Sequence, residues 1–353
     1  MKTIKSFLKK ILPRALKDRL WDAYYFYLAF SLKYIEKINA VTLELASACD
    51  LHCEVCSVPT LERAKGLMTL EHFRVILDKL PLSVKVMRLN YAGEPLLNRD
   101  AFKIIKYAKE KRPDIRIRVS TNGTQLDRFA PQEIIDSRLD ELDICLDGIT
   151  KEIHEGYRRG SDFGRICAAA ENLCRFKAQA GAKAPKIIQM TLLSRQNSGM
   201  VPQIVEFAKK IGFDELQLRY MAVTGITCSP ERLRGMVKFY SELQPEDFNR
   251  LAEKYIPAEE YSMYTRKGSR YVVRQELKKC YTFLCPLIYF NGDVGACCHD
   301  SEGASVFGNL LKEDFKTVMS RMPAKDIYFK KLPICDSCEL SGVGGNWKEI
   351  KLR

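Results

Sequence analysis

The feature that most constrains this chain is a regular exchange of two periodicities between residues 41 and 219. Six β-rich runs, VTLEL at 41–45, VKVMRLN at 84–90, IRIRVS at 115–120, LDICL at 142–146, KIIQMTL at 186–192 and ELQLR at 215–219, alternate with helical patterns near 69–80, 99–111, 163–179 and 200–211. Strands separated by helices pair in parallel through right-handed crossovers, so the run reads as successive βα units. Six units are too few to close an eight-stranded barrel. The expected fold class is therefore α/β: a partial (β/α)6 barrel of the TIM type, with ligand chemistry at the C-terminal ends of its strands.

Directly after the first strand, ELASACDLHCEVCSVP sets Cys49, Cys53 and Cys56 at C-x3-C-x2-C spacing. The chain has thirteen cysteines, and its N-terminus lacks the long apolar core and small-residue cleavage site of a secretory signal. Metal ligation therefore outranks a disulfide framework. Three thiolates from one loop supply three of the four ligands of a cubane cluster and leave one iron open. An open coordination position separates a reactive metal centre from a structural one. The alternative is zinc completed by His52, but His52 adjoins Cys53 and is poorly placed to close the same tetrahedron.

Residues 1–40 read as a basic helical appendage. Ile4, Phe7, Leu8, Ile11 and Leu12 recur at helical spacing opposite Lys2, Lys5, Lys9 and Lys10, predicting a helix before Pro13. The apolar stretch from Ala23 to Phe30 is too short to span a bilayer. The appendage either packs on the protein itself or a second subunit, or lies on a membrane surface. A net charge of +13 attracts anions, whether nucleic acid, acidic lipid, phosphorylated substrate or an acidic redox partner. No RNA-binding module is recognisable, and no nucleic-acid partner is expected. The expected location is the cytoplasm, with membrane association through the appendage left open.

With these residues in view, the chain resembles the radical S-adenosylmethionine (SAM) superfamily, whose signature is this cysteine triplet after the first barrel strand. The resemblance implies that SAM chelates the open iron of a [4Fe–4S] cluster and is cleaved reductively to a 5′-deoxyadenosyl radical that abstracts hydrogen from substrate. Tyr91-Ala92-Gly93-Glu94-Pro95 is similar to the family's G-G-E-P segment, which holds the amino group of SAM through its backbone; Ala92 replaces the first glycine. Ser120-Thr121-Asn122-Gly123 resembles S-T-N-G, which implies that Ser120 and Asn122 reach the ribose or carboxylate. Leu146-Asp147-Gly148 and the stretch from His154 to Arg159 match further segments, with Arg158 or Arg159 as candidate for the SAM carboxylate. Gln189 and Arg219, polar residues in apolar strands, are candidates to face the barrel interior. Val55 stands where relatives often carry an aromatic residue.

A second cysteine set follows a connector at 225–278: Cys280, Cys285, Cys297, Cys298, Cys335 and Cys338, around a hairpin at Asn291-Gly292-Asp293 that predicts a type I′ turn. Cys280, eleven residues, Gly292, four residues, Cys297, then Cys335-x2-Cys338 resembles the SPASM and twitch extensions of the same superfamily, as does Gly308-Asn309. The domains expected are 1–40, a barrel at 41–224, the connector, and an α+β auxiliary-cluster domain at 279–353. The resemblance implies a single auxiliary [4Fe–4S] cluster on Cys280, Cys297, Cys335 and Cys338, in the twitch form, with Cys285 and Cys298 as alternates; a zinc ribbon is the competing reading. Cys145, Cys167, Cys174 and Cys228 read as buried small hydrophobes.

A saturated second cluster suits removal of an electron from a substrate radical, hence an oxidation that also needs a base; Asp300 and His299 are the candidates by position. The expected partners are a small or carrier-linked substrate and a flavodoxin- or ferredoxin-type reductant. Peptide maturation by cross-linking or epimerisation is the alternative reaction, although no winged-helix peptide-recognition domain precedes residue 41. A non-catalytic iron–sulfur electron carrier is the alternative of another class.

Overall fold

A computed structural model describes residues 13–220, 253–257, 262, 264–267, 270–273, 279–298, 300–332 and 347–351. The anticipated strands form β1 (Ala40–Leu43), β2 (Val86–Arg88), β3 (Arg116–Thr121), β4 (Glu141–Cys145), β5 (Lys186–Leu193) and β6 (Glu215–Tyr220). Each pairs in parallel with the next, in sequence order.

The crossover helices carry local start and stop signals where the periodicity places them. In α2 (Leu70–Lys79), the Thr69 hydroxyl accepts from the His72 amide at 3.0 Å, and Phe73, Ile76 and Leu77 turn inward at i, i+3, i+4. Each such fully buried side chain stabilises the fold by roughly 1.5–3 kcal/mol. After α3 (Ala101–Lys111) and the short α4 (Pro131–Asp136) and α5 (Lys151–Tyr157), α6 (Phe163–Gln179) is capped by Asp162 and buries Ile166, Ala170, Leu173 and Cys174. In α7 (Val201–Ile211), Gly212 ends the helix in the left-handed region, at φ 95°.

Both edges of the barrel sheet are covered by segments from far along the chain. After the isolated hairpin of β7 (Tyr264–Lys267) and β8 (Arg270–Val273), β9 (Leu287–Ile288) pairs in parallel with β1 through Thr42 and Leu43. The antiparallel β10 (Asp293–Gly295) and β11 (Val306–Asn309) extend that edge. At the other edge, β12 (Trp347–Lys351) runs antiparallel to β6. The result is one ten-stranded sheet.

The turn between β9 and β10 corrects a sequence expectation. A type I′ turn needs positive φ at both central residues, but here only Gly292 has it, at 85°. The Gly292 amide bonds to the Tyr289 carbonyl and the Tyr289 amide to that of Asp293. This is a three-residue loop with the glycine in the bulge position.

The first twelve residues lie outside the described ones. The Ala23–Phe30 stretch overlaps α1 (Arg14–Ala29), which packs on the C-terminal region and buries Leu28 and Ala29 in the main core. Tyr25 meets Tyr281 at 4.6 Å between ring centroids, and Asp22 pairs with Lys279 at 3.0 Å. The helices α8 (Phe315–Ser320) and α9 (Ala324–Tyr328) complete this packing: the buried Tyr34 hydroxyl donates to the Met319 carbonyl.

Candidate active site

The first cysteine loop leaves β1 at Glu44 and returns at Met68, whose amide donates to the Leu45 carbonyl at 2.9 Å. Glu44 is fully buried and takes both ends of the Arg63 guanidinium, one contact at 2.9 Å. Asp50, next to Cys49, pins the loop to the end of β3 by accepting from Asn122 Nδ2 (2.9 Å), Thr124 Oγ1 (2.6 Å) and Gln125 Nε2 (2.6 Å). Asn122 Nδ2 also lies 3.6 Å from Cys49 Sγ.

Cys49, Cys53 and Cys56 are half-buried on this loop. Burial pushes the Cys49 thiol up to about 12 and that of Cys53 to about 11, and raises Cys56 as well. Such thiols ionise only beside a strong positive charge, which cluster irons supply. Among the described residues no three His, Cys, Asp or Glu side chains converge on a single metal ion. A cubane takes one thiolate per iron, so its ligands stand apart. His52 is exposed, its amide bonded to the Arg159 carbonyl, and it forms no metal-holding group with the thiols among the described residues, which gives the zinc alternative no support. The donor set of three thiols on one fixed loop fits an iron–sulfur cluster.

Gly93, after β2, sits at φ 125°, where a Cβ would lie 2.3 Å from the Ala46 carbonyl oxygen and 2.7 Å from that of Ala48. Only glycine lets the two loops approach this closely. The neighbouring Glu94 amide donates to the Ala48 carbonyl at 2.7 Å. The Glu94 carboxylate faces β3, accepting from Thr121 Oγ1 and the Asn122 and Leu96 amides, and burial raises it to about 7. Ala92 is buried with Val58 and Leu61 beside Cys49 and Cys56. Pro95 is buried at the start of a short 3-10 turn, and the half-buried Ser120 hydroxyl faces Cys145 Sγ at 3.8 Å.

The two arginine candidates part ways. Arg158 is held by Asp147, Nε to Oδ2 2.6 Å, with its charge close enough to Cys53 and Cys56 to favour their ionised forms. Arg159 is a surface residue, paired with Glu54 at 3.2 Å. Asp147 also accepts from the Leu192 amide, and its own amide donates to Nδ1 of the buried His154. A cavity of about 370 Å³ opens beside Asp147, lined further by Ile153, Tyr157, Leu192, Ser194 and Tyr255.

Gln189 does not face the barrel interior as anticipated: its register partners are Ile144 and Leu216 in the hydrophobic core, so it lies on the face of the sheet opposite Gln217 and Arg219. There it is fully buried, with Nε2 donating to Thr191 and Oε1 without a partner. Arg219 donates to Gln217 Oε1 (3.3 Å), which also accepts from Arg118 (2.7 Å).

In the second set, the buried Cys280 is tied towards Cys297 through Thr282, whose hydroxyl faces Cys280 Sγ at 3.3 Å and the Ala296 carbonyl at 3.4 Å. Cys297 is half-buried and Cys298 exposed. Cys285 points elsewhere, to Thr42 Oγ1 and Arg88 Nη1. Cys335, Cys338, Cys228 and His299 lie outside the described residues. Cys145 and Cys174 are buried as expected, whereas Cys167 is only half-buried on α6.

Asp300 does not stand as a base. It is fully buried, and its two carboxylate oxygens accept from the Ala304 (2.8 Å) and Ser305 (2.6 Å) amides, stapling a turn.

That turn meets the first cysteine loop. Glu302 accepts from the Glu62 and Arg63 amides at 3.1 Å, and Arg63 donates to the Ser301 carbonyl and lies 4.9 Å over the Tyr289 ring. Tyr91 packs edge-on to Tyr289, its hydroxyl buried without a partner. Sequence reasoning missed Arg63 and Asp50 and gave Tyr91 no role of its own; the one available signal for Arg63 was Glu44, an acid inside an apolar strand pattern.

A model of the radical SAM superfamily matches residues 43–208, and one of the SPASM iron–sulfur cluster-binding domain matches 280–339. The chain belongs to the radical SAM superfamily and carries a C-terminal SPASM domain. Its cofactors are accordingly a [4Fe–4S] cluster with an open iron, SAM, and an auxiliary iron–sulfur cluster.

Among its relatives are the AdoMet-dependent heme synthase of Methanosarcina barkeri, 24% identical over 68% of this chain and 65% of that protein, and the mycofactocin maturase MftC of Mycobacterium tuberculosis, 28% identical over 58% and 48%. The chain thus spans about half to two thirds of these relatives' length. Two solved structures share the fold. Streptococcus suis SuiB bound to S-adenosylmethionine has a TM-score of 0.55 at 16% identity, covering 82% of this chain and 67% of that one. The anSMEcpe structure with bound AdoMet has 0.55 at 16%, covering 83% and 84%.

Proposed function

We propose that this radical SAM enzyme is an oxidoreductase that cleaves SAM reductively, abstracts a hydrogen from a small or carrier-linked biosynthetic substrate and oxidises that substrate. In this reading Cys49, Cys53 and Cys56 hold the SAM cluster, and Cys280, Cys297, Cys335 and Cys338 hold one auxiliary [4Fe–4S] cluster. When bound, these groups supply a hydrogen-abstracting radical and an electron acceptor.

The observation that carries the oxidative reading is the seam between the two cysteine-bearing loops. Glu302 on the Glu62 and Arg63 amides, and Arg63 on Glu44, join the segment after Cys297 to the segment after Cys56. A chain that oxidises by way of two clusters is served by having their loops joined, and this seam supports that reading.

The chain's own residues prepare the rest. Asp50 and Asn122 fix the first loop against β3, and Gly93 lets the β2 loop approach it. Arg158, oriented by Asp147, offers a fixed guanidinium suited to the carboxylate of SAM. Arg118 and Arg219, which meet at Gln217, give the lumen groups that orient a polar substrate. With Asp300 committed to its turn, His299 is the remaining candidate base.

The test is anaerobic reconstitution with SAM and dithionite. Release of 5′-deoxyadenosine is expected; its absence with both clusters present and reducible would favour an electron carrier. Peptide modification is a second reading, favoured by the similarity to mycofactocin maturases and to SuiB, a structure also solved with its precursor peptide SuiA. Deuterium transfer into 5′-deoxyadenosine from a labelled substrate, peptide or small molecule, separates the two.

A further inference from the structure

The helix α1 buries Leu28 and Ala29 but carries a second row of apolar side chains out to solvent. Leu16, Leu20, Tyr24 and Tyr27 follow i, i+4, i+8, i+11 spacing along one face, and all are exposed, Leu20 by 53% and Tyr27 by 47%. Phe26 and Phe30 stack beside this face at 4.5 Å and are themselves 46% and 49% exposed. A surface helix ordinarily turns such residues inward and its charges outward. Here Asp22, half exposed, lies on the side of the helix that meets Lys279 and Tyr281. The outward ridge is larger than scattered single hydrophobes explain.

Cations border the ridge. Lys33 lies 5.7 Å from the Tyr27 ring, Lys325 4.9 Å from the Phe30 ring, and Lys331 5.6 Å from Phe329, which packs edge-on to both Phe26 and Phe30. The sequence ahead of α1 adds Lys2, Lys5, Lys9 and Lys10 and no acid in its first twelve residues. Aromatic rings with polar tips, aliphatic side chains and a lysine border match the interface of an anionic bilayer, where rings sit at headgroup depth and lysines meet lipid phosphates. None of the described helices is long and apolar enough to cross a membrane, so the contact this surface fits is peripheral.

We propose that the outward face of α1, with Lys33 and Lys325, docks the enzyme on an anionic lipid surface. This stands independently of the reaction proposed above.

Vesicle flotation of the anaerobically prepared, cluster-loaded full chain tests it, using phosphatidylcholine with about one third phosphatidylglycerol against phosphatidylcholine alone. The wild type should float with the anionic vesicles and much less with the neutral ones. Leu20→Ser/Tyr27→Ser should lower the partition coefficient at least about 10-fold, given the apolar area withdrawn from lipid. Lys33→Glu/Lys325→Glu, changed only at exposed side chains, should abolish the preference for anionic lipid. In a Trp347→Phe background, Trp21 emission should shift to the blue on vesicle addition. Iron content and melting of each variant report folding; if the serine variant misfolds, the lysine variant and Trp21 carry the test. Failure of the wild type to float at low salt, or flotation unchanged by the variants, overturns the proposal. A wild-type dimer that the serine variant splits, without vesicle binding, also overturns it and makes a second copy the occupant.

Discussion

Glu44 and Arg63 form a bidentate ion pair at the root of the first cysteine loop, with the Glu44 side chain fully buried and that of Arg63 only 13% exposed. Truncating one partner leaves a buried charge unpaired, which typically costs about 3–5 kcal/mol. Arg63→Ala should therefore lower denaturant stability by that order, together with the iron content of the purified protein. Glu44→Leu/Arg63→Met should recover most of the stability. Equal losses in the single and double variants, read by chemical denaturation, would show that packing rather than the ion pair is responsible.

Gly93→Ala should damage the site more than its size suggests. The added Cβ meets two backbone carbonyls that cannot rotate away, so residues 46–48 must move. Reduced visible absorbance and iron are expected, whereas Ala92→Gly, in a small apolar cluster, should retain both. Iron and sulfide assays check this.

The cysteines of the second set should separate by iron content. Cys297→Ala should lose roughly half of the iron, as expected if each of two clusters holds four. Cys285→Ala should retain all of it, since Cys285 faces Thr42 and Arg88. Full iron in the first variant, or a loss in the second, contradicts the assignment.

His154 should make stability fall in acid. Burial lowers it to about 4, below its ordinary 6.5, so between these values the unfolded chain takes up a proton that the folded one refuses. Its contribution is full above pH 6.5 and lost as pH falls towards 4, by at most about 3 kcal/mol. Glu94, raised to about 7, acts the other way: its contribution is full below 4.5 and lost as pH rises through 7. The two slopes oppose each other, so the measurement is the pH-dependent stability difference between wild type and His154→Asn. A flat difference between pH 4 and 7 would refute it.

Local periodicity made the barrel legible. The boundaries of α6 and β5 were visible because amphipathic spacing and caps act within a few residues. The pairing of Thr42 with Leu287 and of Arg219 with Trp347 was not visible, because edge strands are chosen by long-range shape that no short window encodes. In the site, cysteine spacing located both loops. The misreading of Asp300 has a physical reason: proximity to a ligand in sequence says nothing of side-chain direction, and short acids readily bond nearby amides instead.

The late closure of the sheet has a consequence for biogenesis. On the ribosome β1 emerges long before β9, and β6 before β12, so both flanks of the nascent barrel remain unpaired until synthesis is nearly finished. The Ser301–Glu302 segment that clamps the first cysteine loop is also made late. Until it arrives, the first cysteine loop lacks that clamp, and prematurely ended chains, with bare strands on both flanks, should be prone to aggregate.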